Sequence, residues 1–175
     1  MAHEPAGPDL AEGEKHLDAG EWREAEAAFR RAAEADPHSA AALSKLGVAL
    51  AHQRRLDEAE KAFARAVEVS PRYAPAWSNL GNVYRETGRT DQALEAYERA
   101  VSADPDYWVA HQNLGGLYKR LGRTSEAIAS LRKATRLSAR GALRSATGGG
   151  RRRFGCLGSA VLLLLLAIAL TAAAG

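Results

Sequence analysis

Large apolar residues recur along most of the chain at spacings of three and four, with charged residues between them. Leu43, Leu46, Gly47 and Leu50 form one such run, and Trp77, Leu80, Gly81 and Tyr84 form another. Ala59, Phe63, Ala66 and Val67 follow the first, and Ala93, Leu94, Tyr97, Ala100 and Val101 follow the second. This spacing lays one apolar stripe along each of a series of short helices. No stretch alternates apolar and polar residues as a half-buried strand does. The fold class is therefore all-α.

The helices come in pairs, and the pairs repeat. Glycines stand at 13, 47, 81 and 115, each 34 residues after the last. Alanines at 25, 59, 93 and 127 keep the same period, as do the large residues Phe29, Phe63, Tyr97 and Leu131 and the alanines 32, 66, 100 and 134. Prolines fall at 37, 71 and 105, and Ala139 takes the fourth slot. A fixed period of this length marks a stack of helix pairs, each burying its apolar face against its neighbours. The small residue of the first helix lets its partner approach, and the bulky residue of the second fills the space between them. Gly20, Gly88 and Gly122 share a column at the turn inside each pair, where Arg54 stands in the second unit and predicts a less relaxed turn. Thr90 and Thr124 are placed to cap helix starts.

A different pattern closes the sequence. From Phe154 to Gly175 there are 22 residues without a charge, including five consecutive leucines. At about 1.5 Å per residue such a helix reaches about 33 Å, against about 30 Å of hydrocarbon in a bilayer. It has no polar stripe, which a helix on a protein surface needs. Arg151, Arg152 and Arg153 precede it, and no charge follows. The expectation is a transmembrane helix over 154–175, the arginines flanking the membrane and the rest of the chain cytoplasmic. Its position predicts insertion after translation. The start of the chain has neither the basic nor the apolar region of a secretory signal. The segment Ser138–Gly150, SARGALRSATGGG, reads as part of a flexible basic linker over 138–153.

The 175 residues carry 24 basic and 21 acidic side chains, but not evenly. Residues 1–36 hold ten acids and four bases, while residues 115–153 hold eleven bases and one acid, Glu126. A basic end facing anionic lipid and an acidic end pointing away would orient the stack. Nineteen arginines against five lysines suggest a GC-rich, bacterial source, and so an inner membrane.

The residue columns resemble the tetratricopeptide repeat (TPR) family. The third unit carries Trp77, Leu80, Gly81, Tyr84, Gly88, Ala93, Tyr97, Ala100 and Pro105 in the family's positions. The second has Leu43 in the Trp slot and the fourth His111, while the first places Asp9, Glu12 and His16 in slots that are usually apolar. The resemblance implies a TPR solenoid of four helix-turn-helix repeats, to which the sequence adds one C-terminal transmembrane helix. The layout is an N-terminal tail over 1–5, an array over 6–139 (repeats at about 6–39, 40–73, 74–107 and 108–139), the linker and the anchor. It also implies a groove lined by the first helix of each pair, with Lys45, Asn79, Asn82, Arg85, Gln112, Asn113 and Lys119 on that face. Paired amides there would hold a partner's backbone while the cations attract its acids. The alternative is that asparagine is simply common at these positions. The family's Lys/Asn/Asn/Lys/Arg clamp for chaperone tails falls on Leu10, Glu14, Lys45, Pro75 and Asn79, none of which matches, or one unit later on Ser44, Val48, Asn79, Val109 and Asn113, of which only Asn79 matches.

The functional reading is a membrane-anchored scaffold or adaptor for a protein partner. The alternatives are a regulatory or substrate-docking subunit of a membrane enzyme or TPR-linked transferase, and an interaction module whose apolar tail is buried in an oligomer. Catalysis finds no support: the five histidines are scattered, HExxH is absent, and Cys156 has no local His partner. No cofactor or metal is expected. The basic stretch has one aromatic near it, Tyr118, so nucleic acid is not the expected partner. No further unit covers the last pair, so its apolar edge around Leu131 and Leu137 is expected to stay partly open for a partner, a second copy or the membrane.

Overall fold

Helix formation here follows from alanine-rich, proline-bounded segments whose buried faces are small enough to pack closely. A computed structural model describes residues 7–148. Eight helices follow in order: α1 Gly7–Ala19, α2 Trp22–Ala35, α3 Ala40–His52, α4 Leu56–Val69, α5 Ala74–Glu86, α6 Thr90–Ala103, α7 Trp108–Arg120 and α8 Thr124–Gly148. They form four pairs, α1/α2 to α7/α8, as the 34-residue period predicts. The chain divides into two compact units, Met1–Ser138 and Ala139–Gly175. Of the second, the end of α8 is described. Among the described residues no helix is long and apolar enough to cross a membrane. The tail over 1–5, Arg151, Arg152, Arg153 and the anchor over 154–175 lie outside the described residues.

Each pair closes on one contact. A methyl group added to Gly47 or Gly81 would meet a ring carbon of Phe63 or Tyr97 at 2.7 and 2.6 Å, and one added to Gly13 would overlap the ring of Phe29. At Gly115 it would meet Leu131 Cγ at 2.8 Å and the Leu131 backbone nitrogen at 3.2 Å. The three aromatic residues are at most 1% exposed. Each is also covered by the next pair's first helix: Phe29 by Leu46 and Ala49, Phe63 by Leu80 and Val83, Tyr97 by Leu114 and Leu117.

The turns inside the pairs need left-handed backbone. Gly20, Gly88 and Gly122 have φ of 75, 79 and 74°, and Arg54 is forced to 64° in the same column. Between pairs, Trp77 Nε1 donates to the Pro71 carbonyl at 2.9 Å. His111, in the Trp slot of the fourth unit, reproduces that bond: its Nε2 lies 3.0 Å from the Pro105 carbonyl, which can only accept. The polar slots of α1 are satisfied from α2, because Arg31 donates to Asp9 and Glu12 at 2.8 Å each.

Two expectations change. Thr90 is not a cap: it is the first residue of α6, whose N-cap position is Arg89 and has no side-chain capping bond. Arg89 is occupied across the unit boundary with Glu60, and Thr124 Oγ1 reaches back only to the Gly122 carbonyl at 3.4 Å. Ser39 does cap, accepting from the Ala42 amide at 3.2 Å. Where the composition suggested a flexible tether, α8 continues from Ser138 to Gly148. Ala, Leu and Arg are strong helix formers, no proline interrupts them, and one internal glycine, Gly141, costs about 1 kcal/mol.

A second periodic contact ties the first three pairs together. Glu26 is buried, yet polar and charged groups converge on it: Arg30 Nη2 at 2.6 Å, Arg55 Nη1 at 2.7 Å and Gln53 Nε2 at 2.8 Å. Burial pushes its carboxyl up, but the hydrogen bonds from Gln53, Arg30 and Arg55 outweigh that and hold it below the ordinary carboxylate value. One period on, Arg89 holds Glu60 at 2.9 and 2.5 Å and stacks over Tyr84 at 4.5 Å. At the third junction position 94 is leucine. Arg123 turns instead to Glu126 in its own pair, at 2.7 Å, and stacks over Tyr118 at 4.4 Å.

These contacts set the signs of three substitutions. Gly115→Ala should destabilise the protein by about 1–3 kcal/mol through overpacking on Leu131. Gly116→Ala, one residue on and with nothing within 4 Å, should stabilise it by about 1 kcal/mol through helix propensity. Denaturant titration of both variants checks the opposite signs. Glu26→Gln should cost about 2 kcal/mol at neutral pH, as a charged hydrogen-bond acceptor is lost. A carboxyl with a lowered folded-state pKa stabilises above its unfolded pKa and loses that contribution as pH falls through the folded value. The gap between wild type and variant should therefore close as pH falls from about 5 to 3, read by the same titration at each pH.

Candidate interaction groove

A groove of about 360 Å³ opens between the second and third pairs. Val48, Ala51 and His52 of α3 form one wall, and Asn79, Asn82, Val83 and Glu86 of α5 the other, with Phe63 and Arg54 completing the lining. Small residues on α3 leave the space open. Asn79 and Asn82 are three residues apart on α5 and so lie on one face.

The two amides differ. Asn82 Oδ1 accepts from the Tyr97 hydroxyl at 2.7 Å. Burial pushes the Tyr97 phenol up, which keeps that proton in place as a donor. Asn82 thus completes a core residue and presents its remaining NH₂ to the groove. The Asn79 side chain makes no hydrogen bond among the described residues, and both its donor and acceptor edges remain available there.

The other expected groove residues are not gathered with them. Lys45 pairs with Glu14 at 2.7 Å, bridging α3 to α1. Asn113 Nδ2 donates to Ser78 Oγ at 3.0 Å, which ties α7 to the buried Ser78 of α5. Arg85 lines a separate hollow with Gly88, Thr90, Leu117, Arg120 and Leu121. Gln112 lines another with Trp108 and Leu131. Lys119 is exposed in the last turn of α7. Asn79 and Asn113 share a column, but only Asn79 lines this groove, and only Asn113 is hydrogen-bonded among the described residues.

Sequence reasoning misses the apolar walls Val48, Ala51 and Val83 and three polar groove residues: His52, Arg54 and Glu86. Arg54 forms an ion pair with Glu86 at the groove's end. His52 stacks on Trp22 at 4.0 Å with the rings nearly parallel. The signal for Arg54 is its departure from the glycine column, which in sequence points only to a strained turn. Nothing comparable marks His52 or Glu86.

A family profile described as tetratricopeptide repeat matches residues 38–106 and again 74–140. Among solved structures the chain is similar to MamA, with 31% identity, coverage of 78% of this chain and 80% of that one, and a TM-score of 0.66. It is similar to TTC0263, a thermophilic TPR protein of Thermus thermophilus, at 26% identity, 75% and 74% coverage and a TM-score of 0.68. It shares the fold of the first TPR of Spaghetti (RPAP3), solved with the HSP90 peptide SRMEEVD, at 22% identity, 67% and 93% coverage and a TM-score of 0.62. No curated protein matches the sequence. With the repeat profile spanning more than half of its length, the chain belongs to the tetratricopeptide repeat family.

Proposed function

We propose that this protein is a membrane-attached adaptor that takes an extended segment of a partner protein along the α3/α5 groove. One observation carries the reading: Asn79 stands in an open groove with both amide edges uncommitted, beside the half-committed Asn82. An amide with a free donor and a free acceptor can pair with both the N–H and C=O of an extended backbone. Val48, Ala51 and Val83 offer it apolar walls.

The occupant is not a carboxylate-terminated chaperone tail held in the family's usual way. Of the five clamp slots, Leu10 and Pro75 cannot bind a carboxylate, Glu14 repels one, and Lys45 is held by Glu14. The groove's own charges, Arg54 and Glu86, neutralise each other. A segment with uncharged polar or small apolar side chains fits it best. Attachment to the membrane rests on residues 154–175, uncharged throughout and preceded by Arg151, Arg152 and Arg153. Together they give a cytoplasmic array that holds its partner at the membrane.

Asn79→Ala is the cleanest test, because it breaks no intramolecular bond. Captured partner should fall about tenfold, the effect of one or two lost hydrogen bonds, with the unfolding midpoint unchanged. Asn113→Ala, which removes the bond to Ser78, should lower stability by about 1 kcal/mol and leave capture intact. Unchanged capture by Asn79→Ala would remove the groove from the binding site.

A further inference from the structure

We infer that the open end of the stack, formed by α7 and α8, docks on an anionic lipid surface. This deepens the membrane-attachment reading proposed above and rests on it.

The end face is built unlike the three junctions before it. Phe29, Phe63 and Tyr97 are each sealed by the next pair, whereas Leu131, in the same column, is 36% exposed. In α8, Ile128, Leu131 and Thr135 are spaced so that they form one stripe, and Ile128 is 45% exposed. Arg132 and Arg136 run beside that stripe, one residue on from Leu131 and Thr135. Neither forms a salt bridge among the described residues, and the acid of this helix, Glu126, is held by Arg123.

Trp108 adds a third element. The same column holds alanine in the second and third units, Ala40 and Ala74, both buried. Here it is tryptophan, 41% exposed, and it lines a hollow of about 240 Å³ with Leu131, Thr135 and Ser138. Every large hydrophobic residue exposed among the described residues lies at position 108 or later. Aliphatic side chains, a tryptophan and a row of arginines are what a helix lying in a membrane interface presents. In the sequence, the uncharged run proposed as the anchor begins six residues after Gly148.

The charges decide between occupants. Two copies meeting through this face about a two-fold axis would bring Arg132 and Arg136 of each towards the other pair. In the open slots of a second copy's first pair, Asp9 and Glu12 already hold Arg31. Anionic headgroups accept both arginines without either cost.

The chain has one cysteine, Cys156, so Cys156→Ser with Thr135→Cys allows a polarity-sensitive fluorophore to be placed on the stripe of the full-length protein. On phosphatidylcholine vesicles containing phosphatidylglycerol, the label should move to a drier environment and be quenched by brominated acyl chains. A label at Glu34→Cys on α2 should stay in water. Adding Arg132→Gln and Arg136→Gln should lower the docked-to-undocked ratio about 30-fold, from two bases at about 1 kcal/mol each. A stripe label that stays in water on anionic vesicles, while alkaline carbonate leaves the protein in the pellet, overturns the docking and keeps the anchor, leaving this face to a protein partner. Label burial that rises with protein-to-lipid ratio on neutral vesicles assigns the face to a second copy and also overturns it. Quenching on anionic vesicles together with carbonate release keeps the docking and removes the anchor.

Discussion

The structure depends on how closely two helices can approach at a glycine. In every pair a bulky side chain of the second helix lies where a methyl group on the first helix would have to be. That contact sets the distance within the pair, and the distance places the bulky residue where the next pair's first helix can cover it. Pair geometry and stacking are therefore one constraint counted twice. Dispersion contacts on both sides of each ring, and the water excluded from it, supply most of the stability of such a stack. Among the described residues the last pair has the contact within it and no covering helix, and its bulky residue is a leucine more than a third exposed.

Electrostatics grades the junctions that packing makes alike. The first has a buried carboxylate with three donors, the second an Arg–Glu pair over a tyrosine, the third no ion pair across it among the described residues. Removing one partner from a buried ion pair leaves an uncompensated charge, so the first junction is costly to disturb. At the third junction, Leu94 in place of an acid removes that penalty. The last pair is thus joined by apolar contact and by two side-chain hydrogen bonds, Asn113 to Ser78 and Tyr118 to Glu98, with no ion pair across the junction among the described residues.

The fold was legible because its constraint is periodic. Four glycines, four alanines and four bulky residues in register imposed the pairs and their order, and even His111 proved a substitution that keeps the tryptophan's hydrogen bond. The site was less legible for the same reason. A column tells which residues occupy equivalent backbone positions, but not which are already bonded. Asn79 and Asn113 are alike in sequence, and each has a buried serine 35 residues before it, Ser44 and Ser78, yet only Asn113 makes that bond among the described residues. Lys45 reads as a cation for a partner's acids and is used by Glu14. The helix across Ser138–Gly148 was hidden by a composition of small residues that serves helix and linker equally well. The Arg55, Arg89 and Arg123 column stands in the sequence at the same period, but its partners depend on what occupies 26, 60 and 94.

The two ends of the array make different demands on their surroundings. Asp9 and Glu12 occupy slots that the other units fill with apolar residues, and Arg31 satisfies them from the neighbouring helix, so the first pair needs no cover. The last pair keeps apolar residues in its open slots and enlarges them, with Trp108 where alanine is buried elsewhere. A chain that only had to end its stack could have used polar residues at both ends, as it does at the first. Leaving about 40% of a tryptophan in water forgoes on the order of 1 kcal/mol of burial. Such a cost is consistent with a face that is covered when the protein is at work, and the adjoining arginines match the anionic cover proposed for it.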